Sequence, residues 1–282
     1  MSRDHRSKKG FRHSKSLGQN FLQDMSIVQE IVEGSQVDRD TLVIEIGPGQ
    51  GVLTAELAEA AGRVMAVELD DRLIPELRAR FIAYNNVEII HQDILECDVA
   101  ALVARGREEY GLTKARVIGN LPYYITTPII TKLITGRLPI ESVTAMMQKE
   151  VAERLMAGPG TSKCGAITYQ VQYYTEVSKI CDAGREAFYP VPKVDSAVLR
   201  MDIRREPPVQ VRDEKSFFRC VKAGFALRRK TLLNSLSAAE GMEKEEIRRV
   251  LEKAGISPER RAESLSMEEF ARLADLMEEV RV

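Results

Sequence analysis

Short apolar runs alternate with amphipathic stretches from about residue 41, and this alternation constrains the fold more than any other feature. Five segments have the length and apolar content of strands: 42–46, 63–68, 87–91, 117–120 and 142–147. Segments 52–61 and 72–84 between them have helical character. Strands separated by helices indicate an α/β fold with a mostly parallel sheet and helices on both faces. Functional residues are then expected at the carboxyl ends of the strands.

The C-terminal part of the chain has a different pattern. A turn-rich Tyr189-Pro190-Val191-Pro192 precedes a strand predicted at 196–203, and Pro207-Pro208 then interrupts the chain. Beyond it, amphipathic helices are predicted at 216–236, 244–254 and 266–280. We therefore predict two domains: residues 1–205, which include a basic tail at 1–15, and a small all-helical domain at 206–282.

Composition excludes several classes of protein. The sequence has no run of eighteen apolar residues, so a membrane-spanning helix is excluded. Its four cysteines and three histidines are scattered and form no CxxC pair, which argues against a disulfide framework and against a metal site. We expect reduced thiols, no metal and a cytoplasmic location.

The net charge of −1 hides two basic segments. Residues 1–15 contain six Lys or Arg and one acidic residue, and residues 200–230 contain ten Lys or Arg and four acidic residues. Segregated basic charge on an acidic body indicates a phosphate-binding face, although a basic tail and a solvated helix face would give the same pattern. RNA contacts are predicted for four side chains of the expected helix 216–236: Lys222, Arg228, Arg229 and Lys230.

Three successive strand ends predict a site for a nucleoside-containing cofactor. Glu45-Ile46-Gly47-Pro48-Gly49-Gln50-Gly51 joins a strand to a helix, and its glycines allow the backbone to approach a ligand closely. Glu68 ends the second strand, where a carboxylate can accept hydrogen bonds from ribose hydroxyls, and Asp93 follows the third, within reach of an adenine amino group. The progression resembles S-adenosylmethionine-dependent methyltransferases with a Rossmann-like sheet. A nicotinamide-dependent oxidoreductase is the alternative, because dinucleotide enzymes use similar glycine loops.

Asn120-Leu121-Pro122-Tyr123 follows the fourth strand and is predicted to bind the target. The amino group of adenine is a poor nucleophile because its lone pair is delocalised, so an enzyme that methylates it must chiefly orient it. Asn120 can offer a side-chain carbonyl, and Leu121 or Pro122 a backbone carbonyl, to the two amine hydrogens. Tyr123 or Tyr124 can stack on a flipped base. A simple strand-end turn is the alternative interpretation.

Five motifs extend these patterns over most of the chain: Lys15-Ser16-Leu17-Gly18-Gln19-Asn20-Phe21-Leu22, the loop 44–51, Asn120-Leu121-Pro122-Tyr123-Tyr124-Ile125, the segment 148–155, and Phe188-Tyr189-Pro190-Val191-Pro192-Lys193-Val194-Asp195-Ser196. With them the chain resembles the ribosomal RNA adenine dimethyltransferase family. The resemblance implies cofactor contacts at Asn20, Leu22, Gly47, Glu68, Asp93 and Asn120. It also implies that Tyr123 and Phe188 stack on the target base, and we treat Tyr124 only as a wall of the pocket.

The family resemblance also implies an activity. It is the dimethylation of N6 of two adjacent adenosines near the 3′ end of 16S ribosomal RNA, within the small subunit during its biogenesis. S-Adenosylmethionine would be the cofactor, and the free enzyme would be a monomer. A non-catalytic scaffold for ribosome assembly is one alternative. A macrolide-resistance enzyme that methylates a single adenine of the large subunit is another, although such relatives more often have Asn at the position of Asp195.

Overall fold

The computed structural model of the protein describes residues 20–281, so the basic tail at 1–15 lies outside the described residues. Within that range the chain forms nine strands: Phe21–Leu22 (β1), Thr41–Ile46 (β2), Arg63–Glu68 (β3), Val87–His91 (β4), Lys114–Asn120 (β5), Ser142–Gln148 (β6), Thr175–Ala183 (β7), Phe188–Tyr189 (β8) and Ser196–Ile203 (β9). It also forms eleven α-helices: Met25–Gly34 (α1), Val52–Ala60 (α2), Ile74–Arg80 (α3), Val99–Tyr110 (α4), Thr126–Thr135 (α5), Lys149–Leu155 (α6), Ala166–Tyr174 (α7), Glu214–Gly224 (α8), Leu232–Glu240 (α9), Lys244–Lys253 (α10) and Met267–Arg281 (α11). No helix in the described range is long and apolar enough to span a membrane.

Seven strands form one sheet in the order β4-β3-β2-β5-β6-β9-β7. Strands β2 to β6 pair in parallel, and β9 is antiparallel to both of its neighbours, so β7 again has the direction of the parallel strands. The predicted mostly parallel α/β sheet is therefore confirmed. The short strands β1 and β8, which the sequence patterns did not indicate, pair antiparallel and place Leu22 opposite Phe188.

Both faces of the central strands are buried, as expected for a parallel sheet covered by helices. All six residues of β2 are buried. Leu42, Ile44 and Ile46 pack into the apolar core on one face, and Val43 packs into the core on the other. This period of two is the alternation of a strand, and each such side chain contributes about 1.5–3 kcal/mol by leaving water.

The C-terminal helices enclose a separate apolar core around Phe217, Leu251 and Phe270. Helix α7, which precedes the predicted boundary at 205/206, also packs into this core through Tyr169 and Tyr173. The buried Tyr169 hydroxyl donates a hydrogen bond of 2.6 Å to the carbonyl of Leu265. The two predicted domains are therefore joined by a packed helix as well as by the chain between them.

The single helix predicted at 216–236 is wrong. Helix α8 ends at Gly224 and α9 begins at Leu232. The hydroxyl of Ser235 accepts a hydrogen bond from the Leu227 N–H at 3.0 Å and donates one to the Ala223 carbonyl at 2.8 Å, which folds the intervening segment into a turn. The cations at 228–230 consequently lie on an exposed turn, and only Lys222 lies on a helix.

Candidate active site

The order of the strands leaves a cavity at the carboxyl end of the sheet. The chain builds outward from β2 to β4 and then crosses to β5 on the other side of β2, and ligand sites in α/β sheets lie at such a switch point. A cavity lies there that is open to solvent and, with its open mouth included, has a volume of about 790 Å³. It is lined by eight of the residues predicted from sequence: Asn20, Gly47, Glu68, Asp93, Asn120, Leu121, Pro122 and Tyr123.

The loop after β2 is held close to the cavity by its glycines and by a carboxylate. Gly49 has a φ of +58°, and a Cβ atom at this position would lie 2.8 Å from Cδ1 of Phe21. Its N–H donates a hydrogen bond of 3.2 Å to Oε2 of Glu68. From the sequence, Phe21 and Leu22 could belong to a helix that packs on the sheet; the structure places them in the strand β1 instead, with the Phe21 ring against this loop.

Glu68 is 7% exposed and its carboxylate is held at both oxygens. Oε2 accepts from Gly49, and Oε1 accepts from the N–H of Asp70 at 2.8 Å. Burial raises the pKa of this carboxyl, and the hydrogen bonds from backbone N–H groups oppose the shift. Each oxygen retains a further lone pair, so the group can accept hydrogen bonds from a vicinal diol.

Asp93 begins the turn that follows β4. Its Oδ1 accepts a hydrogen bond of 2.8 Å from the Leu95 N–H, and Oδ2 has no hydrogen-bond partner among the described residues. Leu73, Ile94 and Ile129 line the same cavity. The arrangement suits a flat aromatic ring that carries an amino group.

The loop after β5 presents two carbonyl acceptors. The Asn120 side chain donates through Nδ2 to the Asn20 carbonyl at 3.1 Å, which leaves Oδ1 as its acceptor. The Pro122 carbonyl already accepts from the Ile125 N–H at 3.1 Å and from the Thr126 hydroxyl at 3.0 Å. The carbonyl of Leu121 accepts no hydrogen bond within residues 20–281. Of the two backbone acceptors considered from sequence, Leu121 is therefore the one that is available.

The predicted stacking residues differ in position. Tyr123 lines the cavity, and its hydroxyl lies 2.7 Å from the Ser196 hydroxyl, which fixes the ring. Tyr124 is 54% exposed at the same cavity. Phe188 is 2% exposed and is not among the residues that line it. Leu22 lines a smaller adjoining cavity of about 370 Å³. The roles of Phe188 and Leu22 remain predictions.

Sequence comparison identifies the family. A family model described as ribosomal RNA adenine dimethylase matches residues 10–279. The chain belongs to this family. Its members use S-adenosylmethionine, so the protein is an S-adenosylmethionine-dependent ribosomal RNA adenine dimethyltransferase with a Rossmann-like fold.

Individual relatives agree over nearly the whole chain. "Ribosomal RNA small subunit methyltransferase A" of Geobacillus thermodenitrificans is 52% identical over 95% of this chain and 92% of its own. The protein of the same name from Bacillus licheniformis is 47% identical over 97% of this chain and 94% of its own.

Two solved structures share the complete architecture. A dimethyladenosine transferase from Plasmodium falciparum superposes with a TM-score of 0.73 at 26% identity, covering 90% of this chain and 95% of its own. The 23S rRNA methyltransferase ErmE superposes with a TM-score of 0.68 at 26% identity, covering 92% of this chain and 100% of its own. Only the second of these names states a target RNA, so the shape of the chain alone does not select one.

The described residues fit S-adenosylmethionine, which carries positive charge at its sulfonium and amino groups. Glu45 is 1% exposed at the wall of the adjoining cavity, and its Oε2 has no hydrogen-bond partner within the described range. Burial raises the pKa of this carboxyl to about 8. A buried acceptor without a donor is costly, so a cationic ligand nearby would stabilise the site. Within residues 20–281 no three His, Cys, Asp or Glu residues form a metal-binding group.

Replacing Glu45 with Gln should remove a pH dependence of stability. The folded-state pKa of about 8 lies above the ordinary value of 4.5, so the folded wild type loses stability as the pH rises from 4.5 to 8. Glu45→Gln should gain stability relative to wild type over this window. Denaturant titrations of the free protein at several pH values measure this, with Glu59→Gln on the exposed side of α2 as the control. If the free energies of unfolding of wild type and Glu45→Gln changed with pH in parallel, the raised pKa of Glu45 would be contradicted.

Replacing Glu68 with Ala should weaken cofactor binding. The change removes acceptors for ribose hydroxyls, and hydrogen bonds to a buried charged group contribute about 1.5–3 kcal/mol each. We expect the dissociation constant for S-adenosylhomocysteine to rise roughly tenfold or more in calorimetric titration while the protein stays folded. Glu76→Ala, on the exposed side of α3, should bind as wild type does. An unchanged dissociation constant for Glu68→Ala would show that Glu68 does not bind the cofactor and has only a structural role at the end of its strand.

Proposed function

We propose that this enzyme dimethylates N6 of two adjacent adenosines near the 3′ end of 16S ribosomal RNA, within the small subunit during its biogenesis. The observation that supports the reaction is the pair of carbonyl acceptors, Asn120 Oδ1 and the Leu121 carbonyl, beside a cavity suited to an adenosyl cofactor. The target follows from the relatives named for the small subunit, which are about twice as similar in sequence as the large-subunit enzyme.

The main contribution of the protein to the reaction is to orient the target amino group. S-Adenosylmethionine, when bound, supplies a methyl group already activated by a sulfonium centre. The Asn120 side-chain carbonyl and the Leu121 backbone carbonyl accept hydrogen bonds from the two N6 hydrogens. These bonds direct the nitrogen lone pair away from the ring plane. The methylated nitrogen then releases one proton to water. One N6 hydrogen remains for the second transfer, and one of the two carbonyls is enough to hold it.

The flipped base is held by stacking in this proposal. Tyr123 provides one ring, which is immobilised by its hydrogen bond to Ser196. Phe188 of β8 would provide the second, but its side chain is buried in the apolar core that also contains Leu22 of β1. Stacking on Phe188 therefore requires these two short strands to shift when RNA binds.

The basic turn of the helical domain, residues 228–230, is the proposed phosphate contact. Arg228 donates a hydrogen bond of 2.8 Å to the Ser162 carbonyl, whereas Arg229 and Lys230 have no ion pair or hydrogen bond from their side chains within the described residues. Other cations of this domain are neutralised, such as Arg260 by Glu269. Exposed unpaired cations can bind phosphates without breaking internal contacts, and Lys222 of α8 is exposed as well.

A non-catalytic assembly scaffold is the alternative from another class, and the intact loop at 120–123 disfavours it. A monomeric free enzyme remains an expectation. The assignment of methyl transfer to a domain at 1–205 and of RNA contact to a domain at 206–282 also remains an expectation.

Replacing Asn120 with Ala tests the reaction. Wild type incubated with labelled S-adenosylmethionine and immature small subunits should place the label on N6,N6-dimethyladenosine at two adjacent positions near the 3′ end of 16S RNA. Asn120→Ala should lower the single-turnover rate by roughly a hundredfold or more, because the amine loses a positioned acceptor. Asn85→Ala, an exposed asparagine outside the cavity, serves as the control. Label on large-subunit RNA or on protein would overturn the proposed function.

Replacing Arg228, Arg229 and Lys230 together with Ala should weaken binding to the subunit. The slope of log affinity against log salt should fall by about 0.7–0.9 for each phosphate group that the variant no longer binds. Cofactor affinity should not change, since the turn is not part of the cavity. The matched control replaces Arg248, Arg249 and Lys253 of α10, which form ion pairs and carry the same total charge. Equal salt slopes for the two triple variants would place the RNA elsewhere.

A further inference from the structure

Lys132 is a half-buried lysine on α5, and among residues 20–281 the hydrogen-bond partners of its ammonium group are all backbone carbonyls of one turn. Its Nζ donates to the carbonyls of Ile94 at 2.9 Å, Leu95 at 2.7 Å and Cys97 at 2.7 Å. A lysine ammonium has three hydrogens, so its complete donor capacity is used on this turn. A lysine that served only solubility or a surface ion pair would not be held in this way.

The other end of the same turn is held by Asp93. Its side chain accepts from the Leu95 N–H at 2.8 Å, and its backbone carbonyl accepts from the N–H groups of Glu96 at 3.0 Å and Cys97 at 2.9 Å. One N–H of the turn, that of Leu95, therefore bonds an anionic side chain, two bond the Asp93 backbone carbonyl, and three carbonyls of the turn bond a cation. This is the charge arrangement that stabilises a helical turn at both of its ends. Lys132 and the Asp93 carboxylate therefore hold the same turn, from its carbonyl side and from its N–H side.

Helix α5 connects this turn to the target loop. Ile125, Ile129 and Lys132 follow one another at spacings of four and three, so they lie on one face of the helix. Ile125 and Ile129 line the cavity. The helix begins directly after the loop that carries Asn120, so one rigid element holds both the target loop and the turn after β4.

We propose that Lys132 is a positioning residue for the cofactor's adenine. By fixing the turn 94–97 it presents the free Oδ2 of Asp93 to the adenine amino group. The inference rests on the proposed role of Asp93 and adds a residue that lies outside the cavity lining. A lysine that merely stabilised the fold would affect every ligand of the cavity equally, whereas a positioning residue should affect ligands that carry the amino group.

The test compares two ligands by calorimetric titration: S-adenosylhomocysteine and S-inosylhomocysteine, in which oxygen replaces the amino group. Wild type should prefer the adenosyl ligand by roughly tenfold or more. Lys132→Met should lose most of this preference, as should Asp93→Ala. The double variant should be no worse than the poorer single variant, because both changes remove the same interaction. Lys179→Met, which removes an exposed lysine paired with Asp182, should keep the wild-type preference.

The outcomes separate the inference from the function it rests on. If Asp93→Ala keeps the preference for the adenosyl ligand, the proposed adenine contact itself fails. If Asp93→Ala loses the preference and Lys132→Met keeps it, or weakens both ligands equally, the role of Lys132 is overturned. Should Lys132→Met not fold, Lys132→Arg replaces it, because no nitrogen of a planar guanidinium carries three hydrogens for the three carbonyls that converge on the lysine Nζ. The arginine variant should then show a reduced preference, and a wild-type preference would overturn the inference.

Discussion

The parallel pairing of β2 with β5 is the constraint on which the rest of the structure depends. The pairing brings Gly119 opposite Ile46, and a Cβ atom on Gly119 would lie 2.5 Å from the Ile46 carbonyl oxygen. Only a residue without a side chain permits this approach. Because the strand order reverses at this pair, the loops that follow the two strands diverge, and the space between them becomes the cavity.

Two buried carboxyl groups beside this site prepare the protein for a ligand that supplies donors or positive charge. The pKa values of Glu45, at the adjoining cavity, and of Glu68, at the main cavity, are both raised, with burial as the main cause. The Glu45 Oε2 has no hydrogen-bond partner within the described residues, whereas Glu68 accepts two backbone hydrogen bonds. A ligand that pairs with these groups recovers as binding the free energy lost to their burial.

The strand ends could be predicted from sequence because the parallel sheet fixes where they meet. Glu68 and Asn120 end predicted strands, Gly47 and Asp93 follow predicted strands, and all four line one cavity. Contacts that depend on tertiary structure could not be predicted in the same way. The three carbonyls around Lys132 converge only after the turn beyond β4 has packed against α5.

Two further differences have local causes. Periodicity alone predicted a continuous helix over 216–236, because it does not register the hydrogen bonds of the Ser235 hydroxyl that form the basic turn. The motif around Phe188 marks the residue by its family resemblance, but it indicates neither the pairing of β8 with β1 nor the apolar core in which Phe188 is buried. In both cases the sequence identified the residue but did not predict the hydrogen bonds or the packing around it.

Helix α7 packs into the core of the helical domain and so links the basic turn to the rest of the chain. Tyr169 joins α7 to the C-terminal helices, and Arg228 donates from the basic turn to the Ser162 carbonyl in the loop before α7. If phosphates bind at the basic turn as proposed, these contacts limit which folded RNAs can place an adenosine in the cavity at the same time. Selection would then depend on the shape of the RNA rather than on its bases between the two points.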